Sequence, residues 1–180
     1  MVGLGQVPLL VLALTMLMIL QMSINSSILS ASVSSLDNEA TLEATALGNL
    51  MLGEIKSKAF DQTTLAAMVY NRSQLTQAAS LGTETGDSVI TNEVVPLSQT
   101  VFLSQRKYND IDDYNRYIRS VQTPNLATFV LSNSVCYAQE SNPEAVSLTP
   151  TWYKMVVITV AHPNMAHPVV IKSLIAYTRS

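Results

Sequence analysis

The sequence predicts an α+β fold, in which a long N-terminal α-helix packs against a small antiparallel β-sheet domain. Two observations predict this fold. Apolar side chains recur at helical spacing through the first third of the chain, with no proline between Leu9 and Phe60. Runs rich in Val, Ile, Tyr and Trp follow towards the C-terminus, as is typical of strands. We therefore expect a helix over residues 1–60 and a globular domain, with a connecting loop and an antiparallel sheet, over residues 61–180.

The composition excludes several classes of protein. Of the 180 residues, 48% are hydrophobic and 13% are charged, whereas soluble domains carry about 25% charged residues. A net charge of -3 argues against a nucleic-acid partner, which would favour a basic surface. The single cysteine, Cys136, excludes an intramolecular disulfide and a cysteine-based metal cage. The composition favours a membrane-linked or assembly-forming protein, with no cofactor.

Charge is missing from the beginning of the chain. No Asp, Glu, Lys or Arg precedes Asp37, and the first basic residue is Lys56. Val7–Leu20 reads VPLLVLALTMLMIL and the apolar character continues to Ile24, which gives about the shortest length that crosses a bilayer as a helix. Signal sequences and membrane anchors usually carry flanking basic residues, so we expect that a basic leader has been removed from this sequence.

The helical pattern continues beyond the apolar run. The segment Ser23–Ser35 is rich in serine, yet apolar residues recur in steps of three, four and seven. These are Ile28 or Leu29, Val33, Leu36, Ala40, Leu47, and Leu50 or Met51. The pattern predicts one helix of about 50 residues, apolar all round in its first half and amphipathic in its second, with Pro8 in the first turn or at a kink. A domain of about 120 residues cannot bury such a helix, so its uncharged half must contact lipid or other copies of the chain.

The remainder of the chain predicts a connecting segment and several strands. Asp61–Gly86 is mixed in character and is interpreted as a connection, with a short helix over Leu65–Ala79 as the alternative. Pro96 restricts its surroundings to a sheet edge or a break. The predicted strands are Ser88–Val95, Gln99–Leu103, Leu126–Tyr137, Trp152–Ala161 and Val169–Tyr177. The last three are spaced as in an antiparallel meander.

Two short motifs carry a resemblance to a known family. The helical region ends in GEIKSKAFD (Gly53–Asp61), and DIDDYNRY (Asp110–Tyr117) precedes the main strands. Together with the apolar N-terminal helix, these motifs resemble type IV pilin-like proteins, above all minor pilins and pseudopilins. The resemblance implies a prepilin whose short basic leader is cleaved after a glycine. It also implies a helix that bundles in the core of an extracellular filament, with the globular domains at its surface.

The chain departs from the family pattern in two places. The family usually has a glutamate near the start of the mature helix, where this sequence has Gly5 and Gln6. If the leader is uncut, Gly3 or Gly5 would precede the scissile bond. In the second motif, Arg116 stands where the family has glycine, so the turn is expected to differ.

The acidic loop has two interpretations. Asp110, Asp112 and Asp113 lie within four residues, and alternating carboxylates suit calcium. The favoured interpretation is a structural turn in which Asp and Asn side chains bond to nearby backbone amides. In that interpretation, basic residues balance the acids: Arg106, Lys107, Arg116 and Arg119.

The other reactive side chains indicate no site. His162 and His167 each precede a proline and are expected in a solvent-facing turn, because two ligands are too few for a closed zinc site. Cys136 is expected to act as a small buried hydrophobe. Tyr108, Tyr114, Tyr117 and Trp152 are expected in the core or at an interface rather than in an exposed patch.

These observations lead to an expected function without catalysis. We expect a structural subunit of a type IV pilus-like filament, which lies in the inner membrane before assembly and at the cell surface afterwards. Its partners would be other copies of itself, the membrane and the pilus assembly machinery. The alternatives are a minor pilin or pseudopilin of a secretion system, and a single-pass membrane-anchored binding module that does not polymerise. The residues expected to mediate assembly are Leu9, Leu12, Leu14, Leu17, Leu20, Ile24, Ile28, Val33 and Leu36, with Leu47, Met51 and Ile55 holding the sheet.

Overall fold

A computed structural model of the chain describes residues 6–84, 90, 92–124 and 126–178. It divides into two compact units, the residues up to Glu39 and Ala40–Ser180. Helix α1 contributes to both units, and a six-stranded sheet belongs to the second. The predicted α+β class is confirmed. Gly3 and Gly5, the candidate glycines before the scissile bond, and Gly86, the end of the predicted connecting segment, lie outside the described residues.

Helix α1 spans Gln6–Lys56 as one continuous element of 51 residues, which confirms the predicted helix of about 50 residues. Pro8 lies two residues after Gln6, where a missing N–H group is tolerated. From Ala40 onwards the helix is amphipathic, because its buried residues recur every three or four positions. The buried apolar residues of this face are Ala40, Ala44, Leu47, Met51 and Ile55.

The sheet is built from six strands in the order β1-β2-β3-β5-β6, with β4 paired to β3. The meander β3-β5-β6 is antiparallel, as the sequence predicts, and β2 is also antiparallel to β3. Burial alternates along β5, where Val156, Ile158 and Val160 face the core. The strands are β1 Asn92–Pro96, β2 Ile118–Gln122, β3 Thr128–Ala138, β4 Val146–Ser147, β5 Tyr153–Ala161 and β6 Val169–Ala176.

The sheet is mixed, whereas the sequence predicts an antiparallel one. Strands β1 and β2 run parallel, which is allowed because the connection over residues 97–117 exceeds the dozen or so residues that a crossover needs. The predicted strand Gln99–Leu103 is wrong, since a turn there leads into helix α3 (Leu103–Lys107). The predicted strand Ser88–Val95 is described only from its later part, because residues 88, 89 and 91 lie outside the described residues.

The segment after α1 is a connection with short helical turns. Helix α2 covers Gln62–Ala66, and two 3₁₀ helices cover Arg72–Gln74 and Ala78–Ser80. The alternative of one helix over Leu65–Ala79 is therefore wrong. Asp61 caps α2, because its side chain accepts a hydrogen bond from the Thr63 N–H.

Gly48 allows α1 to approach the sheet closely. A Cβ atom at this position would lie 2.6 Å from Cδ1 of Ile171 on β6 and 3.2 Å from Cγ2 of Val160 on β5. At Gly53, one and a half turns later, an added Cβ would meet nothing within 4 Å. The two glycines therefore differ in packing while sharing the same helix.

We expect unequal effects from alanine at these two glycines. Gly53→Ala should raise the free energy of unfolding by about 0.5–1 kcal/mol, because alanine favours the helix. Gly48→Ala should gain less stability than Gly53→Ala, since the Ile171 side chain must rotate away and Val160 must shift. Denaturant unfolding of the full chain in detergent micelles measures both. Equal stabilisation by the two variants would contradict the close packing at Gly48.

Candidate functional site

The first half of α1 exposes an apolar surface. Every residue from Gln6 to Leu36 is exposed, and the exposed fractions of the nine residues predicted for assembly range from 45% at Leu36 to 68% at Leu9. Within the described part of the chain, α1 is the one helix that is long and apolar enough to cross a membrane. None of its most apolar stretch is buried by the chain itself. This surface is available to lipid or to another protein.

The second half of α1 has the opposite character. Leu47, Met51 and Ile55, which were expected to hold the sheet, belong to the hydrophobic core, with exposed fractions of 9%, 0% and 0%. One helix thus combines a core-forming segment with an apolar segment that the chain leaves exposed.

The two motifs that carry the family resemblance lie next to each other. Ala59 and Asp110 form an isolated parallel β-bridge. The Ala59 N–H donates to the carbonyl of Asn109 at 3.3 Å, and the Ile111 N–H donates to the carbonyl of Ala59 at 3.0 Å. The end of GEIKSKAFD therefore positions the start of DIDDYNRY.

A buried lysine joins these motifs to the sheet. Lys154 on β5 is fully buried, and its Nζ donates to the Phe60 carbonyl at 2.6 Å and to Oδ2 of Asp61 at 3.1 Å. The same ammonium group pairs with Oδ1 of Asp112. Tyr137 on β3 donates from its hydroxyl to Asp61 at 3.1 Å. We call Lys154, Asp61, Asp112 and Tyr137 the lysine cluster.

The cluster displaces the pKa values of its acids in opposite directions. Burial acts to raise the pKa of Asp61, but the charge of Lys154 and hydrogen bonds from Thr63 leave it below its usual value. Burial raises the pKa of Asp112 in spite of Lys154. The pKa of Asp110 rises to about 8, because it is buried and lies beside the Asp112 carboxylate.

The three predicted loop acids do not act alike. Asp113 accepts backbone N–H groups through Oδ2, from Asn109 at 2.8 Å and from Asp110 at 3.2 Å. Asp110 accepts from the N–H groups of Asp112 and Asp113 through Oδ1. These contacts are those of the expected structural turn. In addition, Glu84 from the preceding connection joins Asp110 and Asp112, and each brings a carboxylate oxygen within 4.8 Å of the others.

Charge balance in this loop differs from the expectation. Arg106, Lys107 and Arg116 are exposed, and Lys154 pairs with Asp112 instead. Arg119 pairs with Glu54 on α1 instead of with an acid of the loop. Arg116 adopts a φ of 66°, the left-handed conformation that glycine accepts most readily.

Arg119 forms the centre of a second buried ionic cluster. Its Nη2 lies 2.9 Å and 2.8 Å from the two carboxylate oxygens of Glu54 on α1, and 2.6 Å from Oγ of Ser104 on α3. The Tyr117 hydroxyl donates to Glu93 on β1 and accepts from Nε of Arg119 at 3.0 Å. Burial acts to lower the pKa of Arg119, but Glu54 raises it above its usual value. The cluster ties α1 to β1, β2 and α3.

The three tyrosines around the acidic loop are internal, as expected. Tyr108, Tyr114 and Tyr117 are buried and meet edge to face, with centroids 4.9–5.8 Å apart. Burial raises the pKa of Tyr108 to about 12, so its hydroxyl stays protonated and donates to the Ile90 carbonyl at 2.8 Å. Trp152 stacks on Tyr177.

The two histidines differ in exposure, and Cys136 is half-buried in the sheet. His162 was expected in solvent but is buried and stacks on Phe129 at 4.2 Å, whereas His167 is exposed. Burial raises the pKa of the Cys136 thiol, and its Sγ lies 3.9 Å from the Met155 carbonyl. Such a protonated, half-buried thiol is a poor nucleophile.

Comparison of the chain with protein-family models, curated proteins and solved structures finds no match in any of the three.

We expect Lys154→Met to lower the free energy of unfolding by about 3–5 kcal/mol, because it leaves the Asp61 and Asp112 carboxylates buried without their cation. Lys172→Met on β6 is the matched control. Its side chain is exposed, so the change should stay within about 0.5 kcal/mol. Denaturant unfolding in micelles measures both, and similar losses would contradict the role of the lysine cluster.

Arg116→Gly should raise the free energy of unfolding by about 0.5 kcal/mol, because relief of the left-handed backbone outweighs the larger entropy of the unfolded chain. Arg116→Val should lower it, since a β-branched residue resists positive φ. Thermal unfolding of the two variants beside the native chain provides the measurement. A valine variant as stable as the glycine variant would refute the conformational argument.

Proposed function

We propose that this chain is a structural subunit of a type IV pilus-like extracellular filament and polymerises through the first half of α1. The observation that carries the proposal is the uninterrupted exposure of the uncharged segment Gln6–Leu36. Burying each of its large apolar side chains is worth about 1.5–3 kcal/mol. A protein that leaves so much apolar surface uncovered requires an apolar partner.

The same segment suits two successive surroundings. Before assembly, the apolar residues up to Ile24 occupy the inner membrane, since this is about the length that spans a bilayer. In the filament they exchange lipid for neighbouring helices, with little hydrophobic cost because both surroundings are apolar. Copies related by a head-to-tail contact that does not close form a helical polymer. The pilus assembly machinery would extract and add each subunit at the cell surface.

The serine-rich part of α1 favours a polymer over a lone anchor. Ser23–Ser35 carries hydroxyl groups that suit the bilayer core poorly, and Ile28 and Val33 remain exposed within it, at 60% and 59%. A single helix in water with little charge would fray. Neighbouring helices in a filament would cover these side chains and stabilise the segment.

The second candidate is a single-pass membrane-anchored binding module that does not polymerise. It is favoured by α1 being long and apolar enough to cross a membrane. A minor pilin or a pseudopilin of a secretion system lies between the two candidates. Neither proposal assigns the chain a catalytic role.

A charge in the serine-rich segment separates these candidates. Val33→Glu lies beyond the apolar run, so we expect normal membrane insertion but loss of filaments, because a buried unpaired carboxylate would disfavour helix packing. Leu148→Glu is the control, since Leu148 is 89% exposed on the second unit. Membrane fractionation of producing cells, with electron microscopy of sheared surface material, measures both steps.

Three results would speak against polymerisation through the first half of α1. Native chain that remains a monomer in the membrane, with no filaments, favours the anchored module. Filaments that tolerate Val33→Glu would exclude this face of α1 from the polymer. Loss of filaments in Leu148→Glu as well would show a general defect instead of a defect in helix packing.

A further inference from the structure

We propose that Glu84, Asp110 and Asp112 form a calcium-binding site in the globular unit. Each residue places one carboxylate oxygen within 4.8 Å of those of the other two. Calcium takes six to eight oxygen ligands and accepts the irregular geometry of loops. Three carboxylates from two separate loops would supply part of this set, with water or backbone carbonyls completing it.

Buried oxygen atoms point to a cation independently of this clustering. Asp110 and Asp112 are both fully buried, yet Oδ2 of each accepts no hydrogen bond from the described residues. Their Oδ1 atoms are already used, by two backbone N–H groups at Asp110 and by Lys154 at Asp112. Buried carboxylate oxygens without a donor are costly, and a bound cation would satisfy both.

The local charge also favours a divalent cation. Lys154 supplies one positive charge, and it is in contact with the carboxylates of both Asp61 and Asp112. Asp110 and Glu84 add two further acids beside Asp112. The single charge of Lys154 cannot compensate all four carboxylates in their ionised form, and a divalent cation would allow them to ionise together.

The loop that carries Glu84 is held against the acidic turn. The Asn115 side-chain amide donates to the Leu81 carbonyl at 2.9 Å, and Gly82 adopts a φ of 144° that L side chains rarely accept. An open cleft lined by Gly82, Thr83 and Asp113 borders both segments. The segments that carry the three acids therefore lie next to a surface that is open to solvent.

The site belongs entirely to the unit Ala40–Ser180, so the inference does not depend on the filament proposal. Calcium binding without filaments would support the calcium site and contradict the filament. Filaments without calcium binding would support the filament and contradict the calcium site.

The test is calorimetric titration of the full chain in detergent micelles after treatment with a chelator. We expect one calcium ion per chain, with a dissociation constant of about 10⁻⁵–10⁻³ M, and weaker binding of magnesium. Calcium should also raise the unfolding temperature, because it binds only the folded chain. Absence of binding up to about 10 mM calcium would overturn the proposal.

Two variants and a control locate the ion. Glu84→Gln and Asp110→Asn should each weaken calcium binding at least tenfold, because each removes a charged ligand. Glu144→Gln removes an exposed acid from another loop and should leave the affinity within about twofold. If Asp110→Asn fails to fold, Glu84→Gln decides, since Glu84 is less buried. Native affinity in Glu84→Gln, or tighter binding of magnesium than of calcium, would overturn the assignment.

Discussion

The position of helix α1 on the sheet depends on one buried charge, the guanidinium group of Arg119. An apolar face alone specifies a register less sharply than a buried ion pair does, because apolar contacts are not directional. The contact of Arg119 with both carboxylate oxygens of Glu54 fixes this register. Moving the helix by one turn would leave the Glu54 carboxylate buried without its cation, at several kcal/mol. The close approach at Gly48, on the same helix, requires the register that this pair sets.

The lysine cluster fixes the position of the loops on the sheet, as Arg119 fixes the position of the helix. Lys154 reaches from the sheet to the end of the α1 region through Phe60 and Asp61, and to the acidic turn through Asp112. Two motifs that are distant in sequence thus share one ammonium group. Helix, loops and sheet are joined by a common core and by two ionic clusters inside it. Within the unit Ala40–Ser180, this arrangement fixes the second half of α1 on the sheet.

Local periodicity predicted much of the fold, but it could not predict how strands distant in the sequence pair. The 51-residue helix and strands β5 and β6 follow from their own residues. Strand β2 and its parallel pairing with β1 depend on partners elsewhere in the chain, and IRSVQ is too short to show a period. The burial of Lys154 could have been predicted, because it lies two and four residues before Val156 and Ile158 and therefore shares their core-facing side of the strand. Glu84 gave no signal, since only the folded loops bring it to Asp110.

The single cysteine has a consequence for where this protein can fold. The chain has only Cys136, so its globular unit is stabilised by packing and by internal ion pairs, with no internal covalent crosslink. Folding therefore requires neither an oxidant nor a disulfide isomerase. The same structure should form in a reducing cytoplasm and in an oxidising exterior, and passage from one compartment to the other would leave its covalent connectivity unchanged.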